Sequence, residues 1–249
     1  MVPFYREILW GWIALAVIVF LALQKIAAPY GRHFRGSDRL TVLNHLGWLL
    51  MELPAVLVFG WFFVRGAAEI AFVNWLFFIF WQVHYLNRSL FFPFRLKNKG
   101  KRVRVVIVFS ALFFNCVNGF LNGHYLGAIA PAYPFTWLTD SRFIAGVALF
   151  VLGMAINWRA DAVLLALRKT GEYRIPKGGL FRYVSCPNYF GEMVEWLGFA
   201  IMTWALPAFA FFLWTAANLI PRAQQHHRWY RQQFENYPAS RKALIPFVL

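Results

Sequence analysis

The chain has 249 residues, 60% of them apolar, 20% aromatic and only 14% charged, and its mean hydropathy is +0.51. These values are far from those of soluble domains and exclude an ordinary water-soluble fold. The excess of 25 Lys and Arg over 10 Asp and Glu is arranged in loops between long apolar runs, which marks one side of a membrane and argues against a nucleic-acid surface.

A helix rising about 1.5 Å per residue needs about 20 residues to cross about 30 Å of hydrocarbon. Seven segments meet that need in chain order: residues 7–28, 41–64, 68–92, 105–128, 141–157 with an extension to about 169, 189–205, and 207–222 with an extension to about 236. The first is followed by no cleavage-site pattern and reads as a retained signal anchor. Lys25 ends it, and Arg32, Arg35 and Arg39 follow. The next basic loop carries Arg88, Arg95, Lys97, Lys99, Lys101, Arg102 and Arg104, the one after the fifth segment Arg159, Arg168, Lys169, Arg174, Lys177 and Arg182, and the tail Arg222, Arg228, Arg231, Arg241 and Lys242. In total, 22 of the 25 basic residues lie on alternate loops. The positive-inside rule then predicts an all-α membrane protein with the N-terminus outside and the C-terminus in the cytosol. Cys116 in mid-membrane and Cys186 in a cytosolic segment predict no disulfide. No repeat or long linker divides the chain, so residues 1–249 read as one membrane domain.

In the second segment, "WLLMELPAVLVFGW" (48–61) places a single carboxylate, Glu52, among apolar residues. It lies about 12 residues, or about 18 Å, from the cytosolic end of its helix, near the middle of the bilayer. An ionisable group there costs about 3 kcal/mol and must face the bundle interior with a partner. Two roles stay open for it: a functional group, or a protonated carboxyl that bonds a neighbouring helix or the backbone carbonyl freed by Pro54.

Polar residues then recur at helical spacing. In the fourth segment Asn115, Asn118 and Asn122 fall at i, i+3 and i+7 beside Gly119 and Gly123. Helix packing accounts for this stripe as well as a ligand does. In the fifth, Asn157, Asp161 and Arg168 lie within about 40° of one another on a helical wheel. The sixth begins with Asn188, Glu192 and Glu195, and the seventh leaves the membrane with Arg222, His226 and Tyr230 at successive i+4 steps. A solvated helix face explains any one stripe; three on the cytosolic side point to a pocket for phosphates, ribose hydroxyls and a carboxamide. No G-x-G-x-x-G after a strand and no G-x-x-x-x-G-K-[ST] is present, so neither a Rossmann unit nor a P-loop supplies it. His226 and His227 lack carboxylates or thiols at ligand spacing, and no metal site is predicted.

The phrases "GEYRIPKGGLFRYVSCPNYFGEMVEWLGFA" (171–200) and "HHRWYRQQFENYPASRKALIPFVL" (226–249) closely resemble the steroid 5α-reductase family. Upstream, "WLTDSRFIAGVALFVLGMAINWRAD" (137–161), "NGFLNGHY" (118–125), "HYLNRS" (84–89) and "ELP" (52–54) extend the resemblance to residues 48–249, with 137–249 as the cofactor-binding region. The resemblance implies a seven-helix membrane reductase that uses NADPH to saturate the 4,5 double bond of a 3-oxo-4-ene steroid. It implies catalytic roles for Glu52 and Tyr85, which hydrogen-bond the steroid ketone, and substrate contacts from Trp48 and Asn118. It implies cofactor contacts from Asn157, Asp161, Arg168, Tyr173, Arg174, Asn188, Glu192, Arg222, His226, Tyr230 and Arg241. Depths agree if the third helix continues through "SLFFPF" past Arg88, leaving Tyr85 about 14 Å below its end. The expected form is a monomer among membrane lipids, in the cytoplasmic membrane of a bacterium or the endoplasmic reticulum of a eukaryote.

Three departures stand out. Met51 replaces a glutamine of many steroid-reducing members, "GEYRIP" is two residues shorter than "GEISYRIP", and "KNKGK" (97–101) replaces a more arginine-rich loop, leaving Lys99 or Lys101 to meet a 2′-phosphate. The alternatives are a reductase of another enone, enoyl or polyprenol lipid, a proton-coupled transporter or lipid-binding protein, and a membrane methyltransferase of the isoprenylcysteine type. Against a transporter, the chain has no inverted repeat and no paired broken helices.

Overall fold

The computed structural model describes residues 3–25, 40–66, 70–96, 102–167 and 173–249. These residues are predominantly helical: α1 (Tyr5–Lys25), α2 (Asn44–Val64), α3 (Phe72–Leu86), the short α4 (Phe92–Arg95), α5 (Val105–His124), α6 (Ser141–Leu167), α7 (Pro187–Thr203) and α8 (Leu206–Gln233). Among the described residues, each expected apolar segment overlaps one long helix. Four helical stretches, Tyr5–Lys25, Asn44–Val64, Val105–Ile129 and Ser141–Leu167, are long and apolar enough to cross a bilayer. The third segment does continue past Arg88, since a π-turn over Asn87–Phe91 joins α3 to α4. An unanticipated antiparallel ribbon pairs β1 (Thr41–Leu43) with β2 (Arg102–Arg104). Arg102 ties it by donating from Nε to Thr41 Oγ1 at 2.7 Å and from Nη2 to the Thr41 carbonyl at 2.8 Å.

The chain divides into two compact units. The first holds Met1–Trp10 and Pro29–Ile144; the second holds Gly11–Ala28 and Ala145–Leu249. In the first, α2 lies antiparallel to α3 and parallel to α5. Trp81 Nε1 donates to the Ala55 carbonyl at 2.9 Å and Gln82 Nε2 to that of Val56 at 3.2 Å, while Trp81 stacks on Phe59 with ring centroids 4.6 Å apart. α5 and the π-turn that follows it (Tyr125–Ile129) approach α2 through Gly119, Gly123 and Gly127, one on each turn. A Cβ on Gly123 would strike the Phe59 carbonyl oxygen, and one on Gly127 that of Phe63. This small-residue seam brings backbones together where lipid removes the hydrophobic drive between helices. Outward-facing Phe109 and Phe113 are 63% and 60% exposed, as suits a surface in contact with hydrocarbon.

In the second unit α6 and α7 are antiparallel and meet through Gly146, Gly153, Gly191 and Gly198. A Cβ on Gly153 would strike the backbone of Glu195 and Gly191, and one on Gly198 would strike the Phe150 nitrogen. Pro187 and Pro207 stand in the first turns of α7 and α8, where a missing N–H is harmless. Trp204, at φ 47°, ends α7 in the left-handed region, so two residues suffice to turn the chain into α8. The later part of α1 runs parallel to α8: Trp214 Nε1 donates to the Trp12 carbonyl at 3.0 Å, and Gln225 Nε2 to that of Leu23 at 3.2 Å.

Candidate functional site

The first set of expected residues lies in the first unit. Trp81 on α3 bonds the Ala55 carbonyl on α2, and the two helices are antiparallel. Glu52 is one turn before Ala55 and Tyr85 one turn after Trp81. These are axial steps of about 4.5 Å and about 6 Å in the same direction, so the two residues stand at nearly one level of their helices. Tyr85 is buried against Trp81 and His84, each with ring centroids 5.0 Å away. Its carbonyl accepts the Ser89 hydroxyl at 2.7 Å as the π-turn begins. π-turns recur where a helix must present a functional side chain. Trp48, four residues before Glu52, stands edge-to-face with Phe92 at 5.2 Å, and the Arg88 guanidinium lies over both rings at 5.1 and 4.7 Å.

The asparagine stripe divides by role. Asn118 and Asn122 donate within α5, to the Phe114 carbonyl at 2.8 Å and the Asn118 carbonyl at 3.1 Å. Asn115 crosses to α2, where its Nδ2 meets the Met51 carbonyl at 2.6 Å and Glu52 Oε2 at 3.4 Å. Helical spacing does not distinguish Asn115 from its stripe; the register of α5 on α2 brings its amide to these two oxygens.

The second set gathers in the second unit. Because Gly153 and Gly191 let α6 and α7 touch, Asn157 Nδ2 reaches the Asn188 carbonyl at 3.0 Å and Glu192 Oε2 at 3.5 Å, and Asn188 Nδ2 donates to Asp161 Oδ1 at 3.2 Å. Four expected residues thus form one network. Glu195, further along that stripe, is fully buried. Arg222 and His226 of α8 converge on Tyr189 of α7: the guanidinium lies 5.2 Å from the ring centre, and the phenol is 3.2 Å from His226 Nε2. Tyr230 stacks on Tyr237 at 5.4 Å, and Arg241 lies over the same Tyr237 ring at 5.1 Å. Tyr173 packs against Trp229 at 5.0 Å; with Arg174, Lys177, Val163, Leu167 and Phe234 it lines an open cleft of about 590 Å³. Arg168, Lys99 and Lys101 lie outside the described residues.

Tyr189, Ser185, His227 and Tyr237 complete this arrangement and were not among the expected site residues. Ser185 Oγ is 2.6 Å from both His227 Nδ1 and the Tyr237 hydroxyl, and donates to the Lys242 carbonyl at 3.1 Å. Backbone bonds from Ser185 and Cys186 to the carbonyls of Lys242 and Ala243, at 2.9 and 3.2 Å, fasten the tail beside the entry to α7. Burial lowers the His227 pKa from its ordinary value, and Arg231, Arg241 and Lys242 lower it further. Nothing in the spacing of these residues signals the knot, which depends on the tail folding back across more than 40 residues.

Arg241 is 6% exposed and donates from Nη2 to the Pro176 carbonyl at 2.9 Å. Its Nε and Nη1 are buried without a hydrogen-bond partner among the described residues. Two orphaned guanidinium donors call for an anion with paired oxygens, because a guanidinium fork matches a phosphate. The same unit holds the carboxylates and amides of Asn157, Asp161, Asn188 and Glu192, which suit hydroxyls and a carboxamide. The residues present therefore fit a dinucleotide with phosphates.

The helices and these two polar sets define a helical membrane enzyme. The chain belongs to the 3-oxo-5-alpha-steroid 4-dehydrogenase family, whose family model matches residues 101–249. It is similar along nearly its whole length to a steroid 5-alpha-reductase DET2 of Gossypium hirsutum, with 41% identity over 240 residues, covering 94% of this chain and 93% of that protein. It is 40% identical over 243 residues to 3-oxo-5-alpha-steroid 4-dehydrogenase 1 of Bos taurus, covering 95% of this chain and 93% of that one. It is 42% identical over 247 residues to 3-oxo-5-alpha-steroid 4-dehydrogenase 2 of Macaca fascicularis, with the same coverage, 95% and 93%. As a member of the family, the chain is an oxidoreductase acting on a CH–CH bond of a steroid.

Proposed function

We propose that the chain reduces the 4,5 double bond of a 3-oxo-4-ene steroid with NADPH, acting as a monomer and as one membrane domain over residues 1–249. Family membership along nearly the full chain carries this reading. Seven crossings, with the N-terminus outside and the C-terminus cytosolic, fit the helix directions. Within the first unit consecutive long helices alternate, and α1 runs parallel to the seventh long helix, as an odd count requires. The host membrane is the cytoplasmic membrane of a bacterium or the endoplasmic reticulum of a eukaryote.

The cofactor supplies a hydride. On the protein side, Arg241, Arg222, Arg174 and Arg168 hold its phosphates, while Asn157, Asp161, Asn188, Glu192, His226, Tyr173 and Tyr230 meet its hydroxyl, amide and ring groups. Saturating an enone adds a hydride at the β-carbon and a proton at the α-carbon. Between those events the electron pair of the double bond resides on the ketone oxygen as an enolate. Glu52 and Tyr85, at one level on α2 and α3, donate hydrogen bonds to that oxygen, and their worth grows as its charge grows. Trp48 and Asn118 bound the apolar substrate.

The test is NADPH oxidation followed at 340 nm with detergent-purified protein and testosterone or progesterone. Steroid-dependent oxidation is expected, with turnover lowered about a hundredfold or more in Glu52→Gln and Tyr85→Phe while NADPH binding stays near normal. Near-normal turnover in both variants removes these residues from the chemistry. Binding of NADPH without steroid-dependent oxidation shifts the substrate to another enone, enoyl or polyprenol lipid, a reading favoured by Met51 in place of a polar residue.

A further inference from the structure

We infer that Asn115 is a positioning residue that fixes the Glu52 carboxyl for its task at the ketone, an inference that rests on the role of Glu52 proposed above. Asn115 is buried on α5, and its amide faces two oxygens of α2, the Met51 carbonyl at 2.6 Å and Glu52 Oε2 at 3.4 Å. The Met51 carbonyl only accepts, so the amide nitrogen must face it, and the amide orientation is settled by chemistry. That leaves the second N–H of the same nitrogen for Glu52 Oε2. The short bond anchors Asn115 to the backbone of α2, and the longer one bears on the carboxyl from a fixed point.

This arrangement gives the two carboxyl oxygens different work. With Oε2 accepting from Asn115, the hydrogen that Glu52 donates toward the ketone is carried on Oε1. As negative charge gathers on the ketone oxygen, the Glu52 O–H bond polarises toward it and electron density shifts onto Oε2. The Asn115 N–H stabilises that density, so its contribution rises with progress toward the enolate. Asn115 thus acts through Glu52, and its effect falls on turnover more than on steroid or NADPH binding. The backbone supports the placement, because the Gly119, Gly123 and Gly127 seam presses α5 onto α2 one turn further along, where a Cβ on Gly119 would lie 3.0 Å from the Phe59 nitrogen.

The test is a double-mutant cycle on full-length protein in detergent, using NADPH and progesterone. Asn115→Leu, isosteric but without a donor, is expected to lower kcat about tenfold with both KM values within about twofold of wild type. In the Glu52→Gln background the same change is expected to do nothing further, since a residue acting through Glu52 has nothing left to orient. A tenfold drop on top of Glu52→Gln overturns the inference and makes Asn115 a structural or independent group, as does an Asn115→Leu enzyme with normal kcat. Near-normal turnover in Glu52→Gln alone overturns the underlying reading instead, so the two failures are separable. Melting temperature and NADPH binding report folding. If Asn115→Leu does not fold, Asn115→Ser is taken through the same cycle under the same criteria.

Discussion

The two compact units differ in the balance of partners that their polar side chains take. In the first, buried and half-buried amides and indoles are spent on backbone carbonyls of a neighbouring helical segment: Asn115 on Met51, Trp81 on Ala55, Gln82 on Val56, and Asn74 on Leu126 at 2.8 Å. In the second, backbone bonds such as that of Trp214 to Trp12 are joined by side chains that bond to one another, as in Asn188 to Asp161, Tyr189 to His226, and the Ser185, His227 and Tyr237 knot. A backbone carbonyl is fixed, so polar groups spent on it lock helices and leave an apolar space with few polar points. Clustered side chains keep donors and acceptors that a polar ligand can take over. The first arrangement suits a lipid-like substrate and the second a charged cofactor.

The comparison breaks most severely at the glycine seams, which both units share. Gly153→Val forces side-chain atoms into the backbone of Glu195 and Gly191 and is expected to destabilise the protein by about 3 kcal/mol or more. A thermal-unfolding profile that matches wild type would show that α6 and α7 are not packed as described. Next comes the functional contrast. Arg241→Leu removes donors from the second unit alone and is expected to weaken NADPH binding about tenfold or more. Steroid affinity, measured by equilibrium binding, should be unchanged; equal losses for both ligands would erase the division of labour. The smallest effect concerns the tail knot. The folded-state pKa of His227 lies below the ordinary value of about 6.5, so the unfolded chain binds the proton more readily. Stability is then full above about pH 6.5 and falls as pH drops below it. His227→Gln should remove that slope from melting temperatures measured between about pH 7.5 and pH 5.

Much of the fold was legible in the sequence, because burial in lipid leaves a helix few alternatives. With no water to satisfy backbone groups, an apolar run of some 20 residues must close its own hydrogen bonds. Glu52 stood out for the same reason, being a charge in a segment that otherwise holds none. The stripes of Asn157 and Asp161, and of Asn188 and Glu192, were visible as helical spacing before their contacts were known. The π-turn after Tyr85, the ribbon of Thr41–Leu43 with Arg102–Arg104, and the tail knot on Ser185 were not. Each depends on backbone pairing or on side chains far apart in the chain, for which local periodicity carries no signal.

The sequence by itself determined that this is a helical membrane protein of the steroid reductase family, since hydropathy, charge placement and the tail phrases are local properties of the chain. Tertiary structure alone decided which polar residues bond across helices. Asn115, Asn118 and Asn122 look alike on a helical wheel, and the register of α5 on α2, fixed by the glycine seam, brings the Asn115 amide to Glu52. Arg241 reads as one more cationic tail residue until the tail folds back, when burial leaves two of its guanidinium nitrogens, Nε and Nη1, without acceptors among the described residues.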